Sequence, residues 1–312
     1  MLEWSTRLEG WEHKIVAGQS LLPRGPLFPD EAEAALEIFR DLRIVDAPGS
    51  PRMREACKPW IFDFARVVFG SCDPETGRRL IRYFLLTVSK KNSKSTLAAA
   101  IMLTSLIRNW RRSAEFLILA PTIEVAQNSF GPARDMIRAD DELGNFLRIQ
   151  ENFRTITHRN TGATLKVVAA DNETVSGKKA VGVLVDELWL FGKRANAENM
   201  LREAIGGLAS RPEGFVIYLS TQSDTPPAGV FRRTLQEFRD IRDGKIVDPK
   251  SLGVLYEFPR RMIDSANTGT RETSTLPTRT SGPASTRSSC SMSSRRRNGL
   301  AALRLRALRR NI

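Results

Sequence analysis

The segment Arg82-Tyr83-Phe84-Leu85-Leu86-Thr87-Val88 is an apolar run of strand length, and it passes directly into eight polar residues, Ser89-Lys90-Lys91-Asn92-Ser93-Lys94-Ser95-Thr96. A helix-forming stretch, Leu97-Ala98-Ala99-Ala100-Ile101-Met102-Leu103, follows without a break. A buried strand, a polar loop and an apolar helix in that order suit one unit of a parallel sheet with helices on its faces. Residues 59–259 repeat the alternation. Strands are expected at Arg82–Val88, Glu115–Ala120, Thr164–Ala169, Val181–Val185, Phe215–Ser220 and Leu252–Phe258. Helices are expected at Lys94–Trp110, Ile123–Ala139, Ala195–Leu208 and Val230–Asp243. The fold class read from this order is α/β with a mostly parallel central sheet flanked by helices.

The rest of the chain is different in kind. Residues 1–58 read as a leader, Pro-rich around Leu21-Leu22-Pro23-Arg24-Gly25-Pro26, with Asp30 placed to cap a short helix through Arg40. Residues 59–263 form the α/β unit. Residues 264–312 are rich in Ser, Thr, Arg and Ala and contain no Val, Phe, Tyr, Trp, Lys, Gln or His. Such a composition cannot bury enough apolar surface to offset chain entropy, so this tail is expected to be disordered, with a short basic helix possible only at Leu300–Leu308. It reads either as a basic arm for nucleic acid or as the product of a shifted reading frame. No internal repeat is visible.

Net charge is +13, but twelve arginines and two acids after residue 259 account for ten of it, so residues 1–259 carry only +3. Overall basicity is therefore weak evidence for a nucleic-acid partner. The three cysteines, Cys57, Cys72 and Cys290, are widely spaced and suit free thiols in a reducing compartment. His13 and His158 are the only histidines, and neither lies near a cysteine, which argues against a zinc site or a histidine-based triad. No apolar run reaches the roughly 20 residues of a membrane span, and the N-terminus has no signal-peptide pattern.

The loop before the Lys94 helix has the layout of a phosphate-binding loop. Its N–H groups and the helix N-terminus face an anion, Lys94 sits on the β- and γ-phosphates, and the Ser95 hydroxyl binds Mg²⁺. Both glycines of the usual G-x-x-x-x-G-K-[ST] pattern are replaced, by Val88 and Ser93. Ser93 fits if its φ is negative, or Asn92 takes the left-handed conformation in its place. Alone, the loop reads equally as a basic turn before a helix. About 90 residues later Val181–Val185 ends in Asp186-Glu187. Alone this pair is a solvated turn; with the lysine loop it is a metal-binding Asp186 and a water-polarising Glu187 at the carboxyl edge of a sheet. Phe215–Leu219 ends in Ser220-Thr221-Gln222, small polar groups suited to sensing a γ-phosphate or an attacking water. Glu115–Ala120 ends in Pro121-Thr122. Arg134, Arg138, Arg202 and Arg211 are candidates for a cation supplied to a neighbouring subunit, or are ordinary solvated charges.

Over roughly residues 55–263 these motifs resemble the large terminase subunit of tailed bacteriophages, the ATPase of a DNA-packaging motor. Lys58-Pro59-Trp60, the apolar helix after it and Phe69-Gly70 resemble the segment before that family's phosphate loop. Ser89–Thr96 resembles its deviant Walker A motif, with Lys90 or Lys91 as the early basic residue. Leu184-Val185-Asp186-Glu187-Leu188-Trp189 resembles its Walker B motif, and Ser220-Thr221-Gln222 its coupling motif. The resemblance implies ATP and Mg²⁺ as cofactors and hydrolysis coupled to translocation of double-stranded DNA. It implies a ring of subunits, a small terminase subunit, a portal and procapsid as partners, and a site in the bacterial host cytoplasm, with no membrane. Family members usually keep glycine where Ser93 stands and an adenine-contacting glutamine where Ile61 stands, leaving Trp60 as the group to pack near adenine. They also carry a nuclease domain rich in carboxylates, whereas only Asp264 and Glu272 follow Arg260 here. The alternatives are a hydrolysis-deficient remnant that binds nucleotide or partners, and another nucleic-acid translocase with the same phosphate loop.

Overall fold

The structure is a computed structural model that describes residues 3–23, 25–170, 180–194, 196–223, 225–259 and 262. The tail from residue 264, with its possible helix at Leu300–Leu308, lies outside the described residues. In chain order the helices and strands are α1 (Trp11–Val16), α2 (Pro29–Asp41), α3 (Met53–Ala56), α4 (Pro59–Phe69), β1 (Tyr83–Thr87), α5 (Lys94–Ile107), β2 (Glu115–Ala120), α6 (Ile123–Arg138), α7 (Asp141–Phe146), β3 (Leu147–Gln150), β4 (Thr155–His158), β5 (Thr164–Ala169), β6 (Ala180–Val185), α8 (Leu188–Phe191), α9 (Ala197–Gly206), β7 (Phe215–Ser220), α10 (Gly229–Arg242) and β8 (Ser251–Leu255).

The strands form one sheet in the order β3-β4-β5-β2-β6-β7-β1-β8. From β5 to β8 every pairing is parallel, while β3 and β4 add an antiparallel hairpin at one edge. Parallel strands connected through helices are covered on both faces, which is why β6 is apolar and buried along its whole length. Phe84 and Leu86 of β1 pack with α2, α4, α5 and α6 on one face, and Leu85 packs with α8, α9 and α10 on the other. This is the period-two alternation of a strand, with both sides turned to core. Every residue of α5 except Ser95 is buried, so its Leu-Ala-Ala-Ala-Ile-Met-Leu stretch is apolar all round rather than amphipathic.

The expected strands at Glu115–Ala120, Thr164–Ala169 and Phe215–Ser220 have the observed bounds. Two readings change. Asp30 does not cap α2: the cap position is Phe28, and Pro29, whose fixed φ suits the first helical position, starts the helix one residue before Asp30. The β3–β4 hairpin was not foreseen. Its strands are only four residues long, carry Arg148 and His158, and are half exposed, so no continuous apolar run marks them.

Candidate nucleotide site

Because β7 lies between β6 and β1, the ends of these three strands are neighbours on the carboxyl edge of the sheet. The parallel register pairs Thr87 with Ser220 and Val185 with Tyr218. This brings together the loop after β1, Asp186-Glu187 after β6 and Ser220-Thr221-Gln222 at the end of β7, three motifs scattered over more than 130 residues of sequence. Crevices at this edge are where open α/β sheets bind ligands.

The loop folds around Asn92. Its side-chain amide donates to the Ser89 hydroxyl at 2.8 Å and to the Ser89 carbonyl at 3.1 Å. Val88 donates its N–H to the Ser220 carbonyl at 3.1 Å, tying the start of the loop to β7. The sequence expectation for the missing glycine fails here. Ser93 has φ 52° and Lys91 φ 67°, so it is these two residues, and not Asn92, that take the left-handed region. Ser93 is in the position where glycine would be unstrained, and the cost for a residue with a Cβ is about 1–2 kcal/mol. No side chain caps the N-terminus of α5, which leaves its first N–H groups free to meet an anion. Ser89, Lys90, Lys91 and Ser93 are exposed, whereas Asn92, Lys94 and Thr96 are buried and Ser95 is half-buried.

Lys94 is only 7% exposed, and its ammonium stands 3.5 Å from Oε1 of Glu187. A buried ammonium needs an anionic partner, and Glu187 provides it. Glu187 itself has φ 52°, so three of the six non-glycine residues with positive φ among the described residues lie in this one site. Strain of this sort collects at functional sites. Oε2 of Glu187 accepts a hydrogen bond from the Trp189 indole at 2.7 Å.

Asp186 is fully buried. Its Oδ1 accepts the Glu187 N–H at 3.0 Å, and its Oδ2 accepts the Ser129 hydroxyl at 2.7 Å. Burial pushes the Asp186 carboxyl above the usual carboxylate range, while the Ser129 hydrogen bond opposes the rise. A cation beside it would offset the burial cost of its charge. Ser129 lies on α6, two turns after the Thr122 cap, whose hydroxyl accepts the Val125 N–H at 3.2 Å. The sequence reading singled out Pro121-Thr122 but missed Ser129, because nothing in the local pattern links it to a carboxylate 57 residues later.

The hydroxyls of Thr87 and Thr221 are buried without a hydrogen-bond partner, one at the end of β1 and one just past the end of β7 beside it. Unsatisfied buried hydroxyls at a strand edge fit a polar ligand or water brought in beside them. The Ser220 hydroxyl accepts the Trp189 N–H at 3.2 Å and donates to the Thr221 carbonyl at 3.0 Å. Gln222 is exposed. Trp60, near the start of α4, packs edge-on against Tyr256 with ring centroids 5.7 Å apart, and Tyr256 donates its N–H to the Thr87 carbonyl. Trp60 is thus joined to the end of β1 through one aromatic contact, while Ile61 turns into the core.

The four candidate arginines do not converge on this site. Arg134 pairs with Asp135 and Glu151, Arg138 with Glu151, and Arg202 hydrogen-bonds Asn199. The Arg211 carbonyl accepts from Arg82, and its own Nε is buried without a partner. Cys57 and Cys72 are free thiols, and burial pushes Cys57 up to about 11, so it is a poor nucleophile at neutral pH. Among the described residues no group of three or more His, Cys, Asp or Glu side chains could hold a metal ion. No helix among them is long and apolar enough to cross a membrane.

A family model described as "Terminase large subunit, ATPase domain" matches residues 60–225. Among solved structures, the HK97 bacteriophage large terminase is similar in fold, with 21% identity and a TM-score of 0.60. That likeness covers 73% of this chain and 44% of the HK97 protein, so the chain spans less than half the length of that relative. The ATPase domain of the Thermus phage P74-26 large terminase is matched at 15% identity and a TM-score of 0.43, over 57% of this chain and 76% of that one. The large terminase of another thermophilic bacteriophage, solved in complex with ADP, is matched at 12% identity and a TM-score of 0.41, over 62% of this chain and 46% of that one. A search of curated proteins gives no match.

Proposed function

The chain belongs to the terminase large-subunit ATPase family, and on that footing we propose that it hydrolyses ATP with Mg²⁺ and couples the reaction to movement of double-stranded DNA. One observation carries the reading: a buried lysine at an uncapped helix N-terminus faces the glutamate of a strand-end Asp-Glu pair at 3.5 Å. The strand bearing Ser220 lies between the two.

In this reading the loop N–H groups of Ser89–Thr96 and the Lys94 ammonium bind the β- and γ-phosphates, with Lys90 and Lys91 adding positive charge from the exposed side of the loop. Lys94 then exchanges Glu187 for phosphate, and the carboxylate it releases accepts a hydrogen bond from the attacking water. Ser95 and Asp186 would hold Mg²⁺, which when bound neutralises charge on the phosphate oxygens. The scarcity of other carboxylates nearby means that nucleotide oxygens and water complete such a site. Ser220, Thr221 and Gln222 sense the γ-phosphate, since Ser220 already bonds the backbone just after Glu187. Trp60 packs near the adenine.

The working assembly is a homo-oligomeric ring in the host cytoplasm, with a small terminase subunit, portal and procapsid as partners and an arginine supplied in trans. Residues 59–263 are the ATPase unit, residues 1–58 its leader, and residues 264–312 a low-complexity basic tail. A second reading, nucleotide binding without turnover, draws on Ser93: a left-handed serine in the phosphate loop strains the segment that must close on the ligand.

Measurement of Mg²⁺-dependent phosphate release, with and without double-stranded DNA, tests the proposal. Glu187→Gln should lower turnover by about a hundredfold or more, the scale at which a general base contributes, while nucleotide binding persists. Equal turnover in parent and variant would reject the assignment of Glu187. Nucleotide binding with no turnover in the parent would select the second reading.

A further inference from the structure

We propose that Trp189 is a positioning residue for Glu187, an inference that rests on the hydrolytic reading above. Trp189 touches all three motifs of the site. Its indole N–H donates to Oε2 of Glu187 at 2.7 Å. Its backbone N–H donates to the Ser220 hydroxyl at 3.2 Å, on the strand between the two other motifs. Its ring lies 5.5 Å from the Lys90 ammonium of the phosphate loop and 4.9 Å from the Lys193 ammonium.

The two oxygens of the Glu187 carboxylate therefore have different partners: Oε1 faces Lys94 and Oε2 faces the indole. The two contacts differ in what becomes of them. A phosphate at the N-terminus of α5 is a stronger partner for Lys94 than one carboxylate oxygen, so the Lys94 contact is given up when nucleotide binds. The indole contact is not in competition with phosphate. It keeps Oε2 fixed and leaves Oε1 directed toward the place Lys94 has vacated. Without it, a glutamate side chain with three rotatable bonds has no described partner to hold its carboxylate in register with water.

Burial alone does not account for this tryptophan. A phenylalanine would keep an aromatic ring in the half-buried position beside the two lysines, with a weaker attraction for their ammonium groups, but it has no N–H. A donor to a carboxylate makes a stronger hydrogen bond than one to a neutral acceptor, and at Oε2 the indole supplies it. The ring is oriented by its flanking ammonium groups and by the backbone bond to Ser220, so the donor direction is set before nucleotide arrives.

The test is steady-state Mg²⁺-ATP hydrolysis by the full chain, comparing the parent with Trp189→Phe and Glu187→Gln. Trp189→Phe should lower kcat about tenfold or more and leave KM for ATP within about twofold, the split expected when a group is misplaced in the transition state only. Unchanged kcat, or a loss confined to KM, overturns the proposal. If the parent exceeds Glu187→Gln while Trp189→Phe equals the parent, the hydrolytic reading stands and this inference alone falls. If parent and Glu187→Gln turn over equally, both fall. A second measurement does not depend on folding of the phenylalanine variant. In proton–nitrogen correlation spectra of the five tryptophan indoles, one N–H peak should shift upfield in Glu187→Gln, because a neutral amide accepts more weakly than a carboxylate. Five unmoved peaks would overturn the proposal.

Discussion

Ser93 holds φ at 52° where the usual phosphate-loop pattern has glycine, and its side chain makes no cap bond to α5 that would offset the strain. The cost of a left-handed serine is therefore recoverable. Ser93→Gly should raise the thermal midpoint slightly, by a net gain of about 1 kcal/mol or less, since relief of the left-handed cost is partly offset by the greater chain entropy of glycine. Thermal denaturation measures it, and a lower midpoint would show that the hydroxyl has a role the geometry hides. At this scale the sequence marks Asp186, Glu187 and Ser220 as candidates because each stands at or just past a strand end, where a change from apolar to polar is easy to see, and Lys94 because it opens the apolar helix after a polar loop. It could not give the sign of φ at Ser93, which depends on how the loop closes. Ser129 and the indole of Trp189 were illegible as site groups because their partners are reached only through the fold.

Among the elements, β6 shows how closely the site depends on packing behind it. Gly182 sits where an added Cβ would stand 2.7 Å from a ring carbon of Phe116 and 2.8 Å from one of Phe215. The rings of the strands on either side thus occupy the space a side chain would need. Gly182→Ala should destabilise the fold by about 1–3 kcal/mol, the usual cost of overpacking a close-packed core. It should also lower nucleotide turnover, since Asp186 and Glu187 leave the same strand. Chemical denaturation and the hydrolysis assay read the two effects, and an alanine variant as stable as the parent would mean that the rings yield freely. The long parallel strands were legible as continuous apolar runs. The β3–β4 hairpin was not, because an edge pair with one solvated face and four-residue strands leaves too short an alternation to separate from loop.

In the whole molecule the first residues are part of the packing. Leu8 and Ile15 are buried, Trp4 donates its indole N–H to the Pro249 carbonyl at 2.7 Å, and Thr6 donates to the Asp248 carbonyl at 2.8 Å. The Trp11 ring lies 3.8 Å from the guanidinium of Arg242, which is itself buried and paired with Glu257 at 2.6 Å. Removing residues 1–18 would strip two core side chains, worth about 1.5–3 kcal/mol each, and uncover that ion pair. The thermal midpoint should fall by roughly 5–10 °C. An unchanged midpoint would show that the leader contributes nothing to the core it touches. The sequence reading places this stretch only within a leader of residues 1–58, and its contacts with α10 and the residues just before β8 have no local signal.

The burial of α5 has a mechanical corollary. With all but one of its residues enclosed, the helix behind the phosphate loop cannot slide or turn without opening the core on every side. It is the stator of the molecule. By contrast α10, on the far side of the sheet, buries only one face in the core and keeps Arg232 and Arg233 exposed on the other.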